Sequence, residues 1–217
     1  VRGSRTRRYG AGGGVRWRFP WELCLMLAAV AVVAFIALGR GPSGPPAPSG
    51  QDLRVSGPTR VVAAPMRASR PLRVRVPAIR VDAPLTDLRL DGSGRLGAPS
   101  ETDDDLAGWW ADGPAPGERG TAIIAGHVDI PTGPAVFYDL GAVKPGMSID
   151  VARSDRATAH FTVDAIDVYA ADDFPDDKVY ADTGDPELRL ITCGGGYDKQ
   201  HGHYNGNVVV SAHLTAP

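Results

Sequence analysis

Two residues of this 217-residue chain stand where acyl-transfer chemistry would need them: Cys193, closing the run Leu188-Arg189-Leu190-Ile191-Thr192, and His127, closing Ala122-Ile123-Ile124-Ala125-Gly126. A thiol near its ordinary pKa is largely protonated at neutral pH, and a neighbouring imidazole can take its proton or stabilise the thiolate. Attack of that thiolate on a peptide carbonyl gives a thioester. The imidazolium then protonates the departing amine, and neutral imidazole deprotonates the nucleophile that resolves the thioester. Water in that role makes a protease; an amine makes a transpeptidase. A buried, inert cysteine and a hydrogen-bonded turn histidine are the bland alternatives.

Other groups could join them. Period-two alternation puts Arg189, Ile191 and Cys193 on one side of a strand, so Arg189 could point into the site as an oxyanion or substrate cation, although about 13 Å of strand intervenes. Asp129 could orient the imidazole or simply occupy a turn. Trp109 and Trp110 could wall a peptide groove or pack in the core. His127 and Asp129 with His201 and His203 offer ligands of the kind used by zinc peptidases. The second pair lies in a Gly-rich polar stretch, Lys199 to Gly206, with no Glu at a recognised spacing, and no metal is expected. The acidic runs Asp103 to Asp105 and Asp172 to Asp177 lack calcium-loop spacing and read as solvated surface.

The elements that must position these residues are strands. From Pro71 onward, short apolar or alternating runs are separated by Gly, Pro and Asp, the pattern of an all-β domain. Strands are expected at 72–76, 121–125, 148–152, 160–168, 188–192 and 207–214. Lys144-Pro145-Gly146 and Asp91-Gly92-Ser93-Gly94 carry turn chemistry. The alternation Phe161, Val163, Ala165 changes phase at Ile166 and Val168, which predicts a bulge, as where a sheet curves toward closure. A barrel suits this pattern better than a flat sandwich. The adjacent glycines, Gly126 and Gly194 to Gly196, let a substrate backbone approach.

The N-terminal part reads differently. Six arginines, from Arg2 to Arg18, precede the first acidic residue, Glu22, and Leu23 to Leu38 carries no charge, with Trp17 and Trp21 at its edge. This predicts a basic cytoplasmic tail over 1–20 and an uncleaved membrane anchor over 21–39, with the rest of the chain exported. A cleaved signal peptide is the competing reading. Residues 40–70, rich in Pro and Gly, are expected as a disordered linker, and 71–217 as the catalytic domain. Cys24 falls within the apolar segment, leaving Cys193 the only thiol of the exported part. A net charge of -2 without clustered basic residues in that part excludes nucleic acid as a main partner.

Thr192-Cys193 and Gly126-His127, with His before Cys, resemble the two principal sortase motifs. Pro77 to Asp82, Gly108 to Gly113, Pro116-Gly117, Gly133 to Phe137, Phe174-Pro175, Leu188 to Gly195 and Gly202 to Tyr204 are similar to the class E/F branch of actinobacteria, so that the likeness runs over 71–214. The resemblance implies an eight-stranded closed barrel and cleavage of a Leu-Pro-x-Thr-Gly-like C-terminal sorting signal. It implies transfer of the acyl group from Cys193 to a cell-wall amine. The implied partners are secreted proteins bearing that signal and a peptidoglycan precursor amine; no cofactor is implied.

The chain departs from the family at one place. Sortases generally carry a catalytic arginine on the strand after the cysteine, and none occurs from Gly194 to Pro217. Arg189, Lys199 and His203 are the alternative cationic groups, and Asn205 stands near the expected position. A membrane-anchored barrel that binds peptide or wall polymer without turnover is the non-enzymatic alternative.

Overall fold

The structure is a computed structural model that describes residues 44–48 and 61–216. The expected tail and anchor, 1–39, lie outside the described residues. Among those residues no helix is long and apolar enough to cross a membrane.

Strands β1 (Pro71–Val76), β2 (Val81–Leu88), β3 (Ala107–Trp110), β4 (Gly120–Gly126), β7 (Ser148–Arg153), β8 (Thr158–Ala170), β9 (Pro186–Asp198) and β10 (His203–Ala216) close into a barrel. Their order around it is β1-β2-β3-β4-β9-β10-β8-β7. The short pair β5 (Asp129–Ile130) and β6 (Gly133–Pro134) stands apart as a two-stranded hairpin. The eight-stranded closed barrel expected from the sequence is thus present. All six expected strands occur, with β2 and β3 in addition.

Alternation sorts each strand into an inner and an outer face. Val74, Ala83, Leu85, Ala122, Ile124, Ile149, Val151, Phe161, Leu188, Leu190, Val210 and Leu214 belong to the main core. Ile123, Ile191 and Val209, which alternate with these, form a second apolar cluster with Val179 of the one-turn helix Asp176–Val179. Trp110, Tyr169, Phe174 and Leu96 pack against it. The outer face of β4, β9 and β10 therefore has an apolar floor of its own.

The expected turns form as their residues demand. The Met147 N–H donates to the Lys144 carbonyl, with Gly146 at φ 87°. The Asp91 carboxylate accepts the N–H groups of Ser93 and Arg95. The predicted phase change in β8 is a bulge, since Ser211 pairs with Ala165 and the next residue, Ala212, with Val163. Asp164, left without a place in the ladder, accepts from His213 Nδ1 at 2.6 Å.

Residues 61–70, expected within the linker, are instead tied to the barrel. The Ala63 N–H donates to the Leu214 carbonyl and the Met66 N–H to that of Gly117. The buried guanidinium of Arg153 donates to the carbonyls of Arg67 and Pro116 and pairs with Asp155. Side chains add to this: Arg70 pairs with Asp87 at 2.9 Å, and the Ser69 hydroxyl accepts the Asp155 N–H. Arg153→Ala leaves those carbonyls without their charged donor and is expected to cost about 2–3 kcal/mol. Denaturant unfolding reads that loss, and limited proteolysis should show faster cleavage within 61–70.

Candidate functional site

β4 and β9 run parallel, with six Cα pairs from Gly120–Pro186 to Ala125–Ile191. The next pair is joined by a side chain: Thr192 Oγ1 donates to the Gly126 carbonyl at 2.8 Å. One step further along each strand stand His127 and Cys193. Neighbouring strands lie about 4.8 Å apart, so the histidine and the cysteine are brought side by side. Both follow the outer-face residues Ile123, Ala125, Arg189 and Ile191 in phase, so they share that face. Cys193 is a free, exposed thiol at the end of the second apolar cluster.

His127 Nε2 is 2.9 Å from the Pro99 carbonyl of the β2–β3 connection. A carbonyl only accepts, so Nε2 carries the proton and Nδ1 is the nitrogen free to take one from a thiol. Asp129 does not orient this ring. Its carboxylate accepts the hydroxyl of Tyr204, on the β10 side of the site. Protein packed behind Cys193 pushes its thiol above the ordinary range, and the Asp129 carboxylate pushes the same way. The Tyr204 hydroxyl is also held above its usual range, first by burial and then by its bond to Asp129.

Arg189 is where alternation places it, on the outer face, but its guanidinium does not reach toward Cys193. It pairs with Glu187 at 2.7 Å, two residues farther from the cysteine, and both side chains are buried. Opposite charges at i and i−2 share a strand face, and the buried pair holds the arginine away from the site. Lys199 and His203 lie at the far tip of the β9–β10 hairpin, several residues beyond Cys193. Trp109 donates Nε1 to the Pro114 carbonyl at 3.1 Å and packs in the main core, whereas Trp110 joins the outer cluster.

Asn207 was not apparent from sequence reasoning. It is the cross-strand partner of Cys193, and directly opposed residues present side chains to the same face. Asn205, two residues back on β10, shares that face by alternation and is exposed. Around the thiol there are therefore an imidazole, a carboxylate bonded to a phenol, and carboxamides. This set can transfer a proton and donate neutral hydrogen bonds to an oxyanion.

With this geometry in place, comparison with known proteins gives one family. A family model, the sortase domain, matches residues 74–215, and the chain belongs to that family. Sortase A from Corynebacterium diphtheriae is 24% identical with a TM-score of 0.53, the match covering 70% of this chain and 64% of that one. Sortase C1 from Streptococcus agalactiae, in its complex with MTSET, is 22% identical with a TM-score of 0.52, covering 67% of each chain. Sortase C-1 from Actinomyces oris is 22% identical, also with a TM-score of 0.52, and covers 67% of this chain and 73% of that one. At these identities the likeness is one of fold. No curated protein matched the sequence.

The charge relations around Cys193 set its pH behaviour. Its alkylation by iodoacetamide should rise with a midpoint above that of an ordinary thiol. Asp129→Asn removes the repelling carboxylate and should lower the midpoint. Tyr204→Phe strips that carboxylate of its donor and should raise it. An unchanged midpoint in Asp129→Asn would contradict the arrangement.

Proposed function

We propose that the protein is a cysteine transpeptidase of the sortase type, of the class E/F kind. It cleaves a C-terminal Leu-Pro-x-Thr-Gly-like sorting signal and transfers the acyl group to a cell-wall amine. The observation that supports this reading is the β4–β9 register, whose continuation beyond Thr192 and Gly126 falls at Cys193 and His127. The basic tail and apolar segment of the sequence support a single-pass anchor with the catalytic domain outside the cell.

Because burial and Asp129 favour the neutral thiol, the proton leaves as attack occurs. His127 Nδ1 takes it, and sulfur bonds to the carbonyl carbon of the substrate's scissile peptide. The tetrahedral oxyanion collapses, the C–N bond breaks, and His127 returns the proton to the leaving amine. An incoming amine then gives up a proton to His127 and attacks the thioester. The C–S bond breaks, an amide forms, and the proton returns to the thiolate. The Asn207 carboxamide, opposite the sulfur, is the donor available to the oxyanion where the family has an arginine.

The 217-residue chain in mild detergent, with a Leu-Pro-x-Thr-Gly peptide and a glycine amine, tests this by mass spectrometry. An acyl adduct on Cys193 that resolves to the amide product, absent in Cys193→Ala, is expected. Equal turnover by Cys193→Ala would end the reading. Asn207→Ala should lower kcat about 100-fold with the adduct still forming. Peptide binding by wild type and Cys193→Ala alike, with no adduct on any peptide of a broad panel, would favour the binding module.

A further inference from the structure

The stretch Lys199 to Gly206, which reads in sequence as a loose Gly-rich loop, is built as the tip of the β9–β10 hairpin. β9 runs to Asp198, β10 begins at His203, and these two residues are cross-strand partners. The turn between them is closed by the Gly202 N–H donating to the Asp198 carbonyl at 2.8 Å, with Gly202 at φ 72°. Asp198 Oδ1 accepts the N–H groups of Gln200 and His201 at 2.7 and 3.2 Å. The tip is therefore held by both backbone and side chain.

Three groups of metal-ligating type converge on it. Asp198, His201 and His203 each offer one ligand atom, and the three atoms lie within 4.8 Å of one another. The imidazoles are stacked, with ring centroids 6.0 Å apart. His201 Nδ1 is 2.7 Å from Asp198 Oδ2. His203 Nδ1 is 3.1 Å from the Tyr204 carbonyl, which only accepts, so that nitrogen is protonated and Nε2 carries the lone pair. A metal-binding histidine almost always gives its other N–H to a carbonyl or carboxylate, which fixes tautomer and ring orientation.

We propose that Asp198, His201 and His203 form a binding site for one divalent transition-metal ion of the zinc class, stapling the tip of the β9–β10 hairpin. Imidazole and carboxylate are the donors such an ion takes, at about 2.0–2.2 Å, with solvent in the remaining position. His201 and His203 are exposed and rotate at little cost, so their ligand atoms draw toward the Asp198 carboxylate, which the turn holds in place. The ion ties β9 to β10 beyond Cys193 and Asn207, and beside Tyr204, which bonds to Asp129. Its role is to stiffen this hairpin; it takes no part in bond-making at the thiol. The site stands independently of the proposed transpeptidation.

The test uses zinc ion alone, titrated calorimetrically into the tag-free 217-residue chain, in a Cys24→Ser, Cys193→Ala background that removes both competing thiols. One equivalent should bind and raise the melting temperature, since a ligand specific for the folded state stabilises it. Cobalt ion in its place should give visible d–d bands without sulfur charge transfer. Affinity should fall at least about tenfold in His203→Ala and in Asp198→Asn, and stay unchanged in Lys199→Ala on the same turn. A metal-free melt equal to the parent's separates lost ligation from misfolding. His201→Gln offers a milder variant should the alanine changes unfold the tip. Binding that persists with both histidines replaced, disappears with Cys193→Ala, or fails up to millimolar zinc overturns the assignment.

Discussion

Pairing of β4 with β9 is the constraint on which the site depends. Parallel neighbours cannot be joined by a tight turn and require a crossover connection. Residues 127–185 form it here, carrying β7 and β8 around the barrel before β9 returns beside β4. His127 is the first residue of that connection, and Cys193 stands at the same height on the returning strand. Side chains alternate with a period of two, so a slip of one residue would turn the thiol into the core. The Thr192 hydroxyl on the Gly126 carbonyl continues the pairing one step beyond the backbone ladder, to the threshold of the reactive pair.

The strand that holds Cys193 and the one that leads into His127 were legible in sequence because each is an apolar run. β2 was not, because Pro84 lacks a ladder donor and argues against a strand, nor was the four-residue β3 with Gly108 inside it. The order of strands around the barrel is a property of long-range pairing, and no local pattern encodes it. The Asp129–Tyr204 contact joins residues 75 apart in the chain. Asn207 gains meaning only once its register with Cys193 is known. Arg189 is different: Glu187 shares its strand face by simple alternation, so the ion pair that retains it was within reach of the sequence.

The glycine run after the cysteine shows how a local motif can be explained twice. Read as sequence, Gly194 to Gly196 make room for a substrate. In the fold they have backbone reasons of their own. A Cβ on Gly194 would lie 2.6 Å from Val208 Cγ2. Gly195 and Gly196 hold φ 76° and 91°, in the left-handed region that side chains disfavour. Tyr197 pairs with Tyr204 and Gly194 with Gly206, so two residues of β9 face the single Asn205 of β10. This bulge bends the hairpin immediately after the nucleophile, a common place for such irregularities. Structural need and open access to the thiol are served by the same residues.

The lack of an arginine on β10 changes the character of the site more than its shape. A guanidinium beside Cys193 would favour the thiolate and later the oxyanion. Here the neighbouring charge is the Asp129 carboxylate, and the thiol rests in its neutral form. The thiolate is the species that reacts with oxidants and metals as well as with substrates. A thiol kept protonated until its proton is removed during attack is shielded from those side reactions. The cost falls on the transition state, where no guanidinium from β10 meets the charge on the oxyanion. The two consequences have one cause: an electrostatic environment that protects the resting nucleophile also holds back its activation.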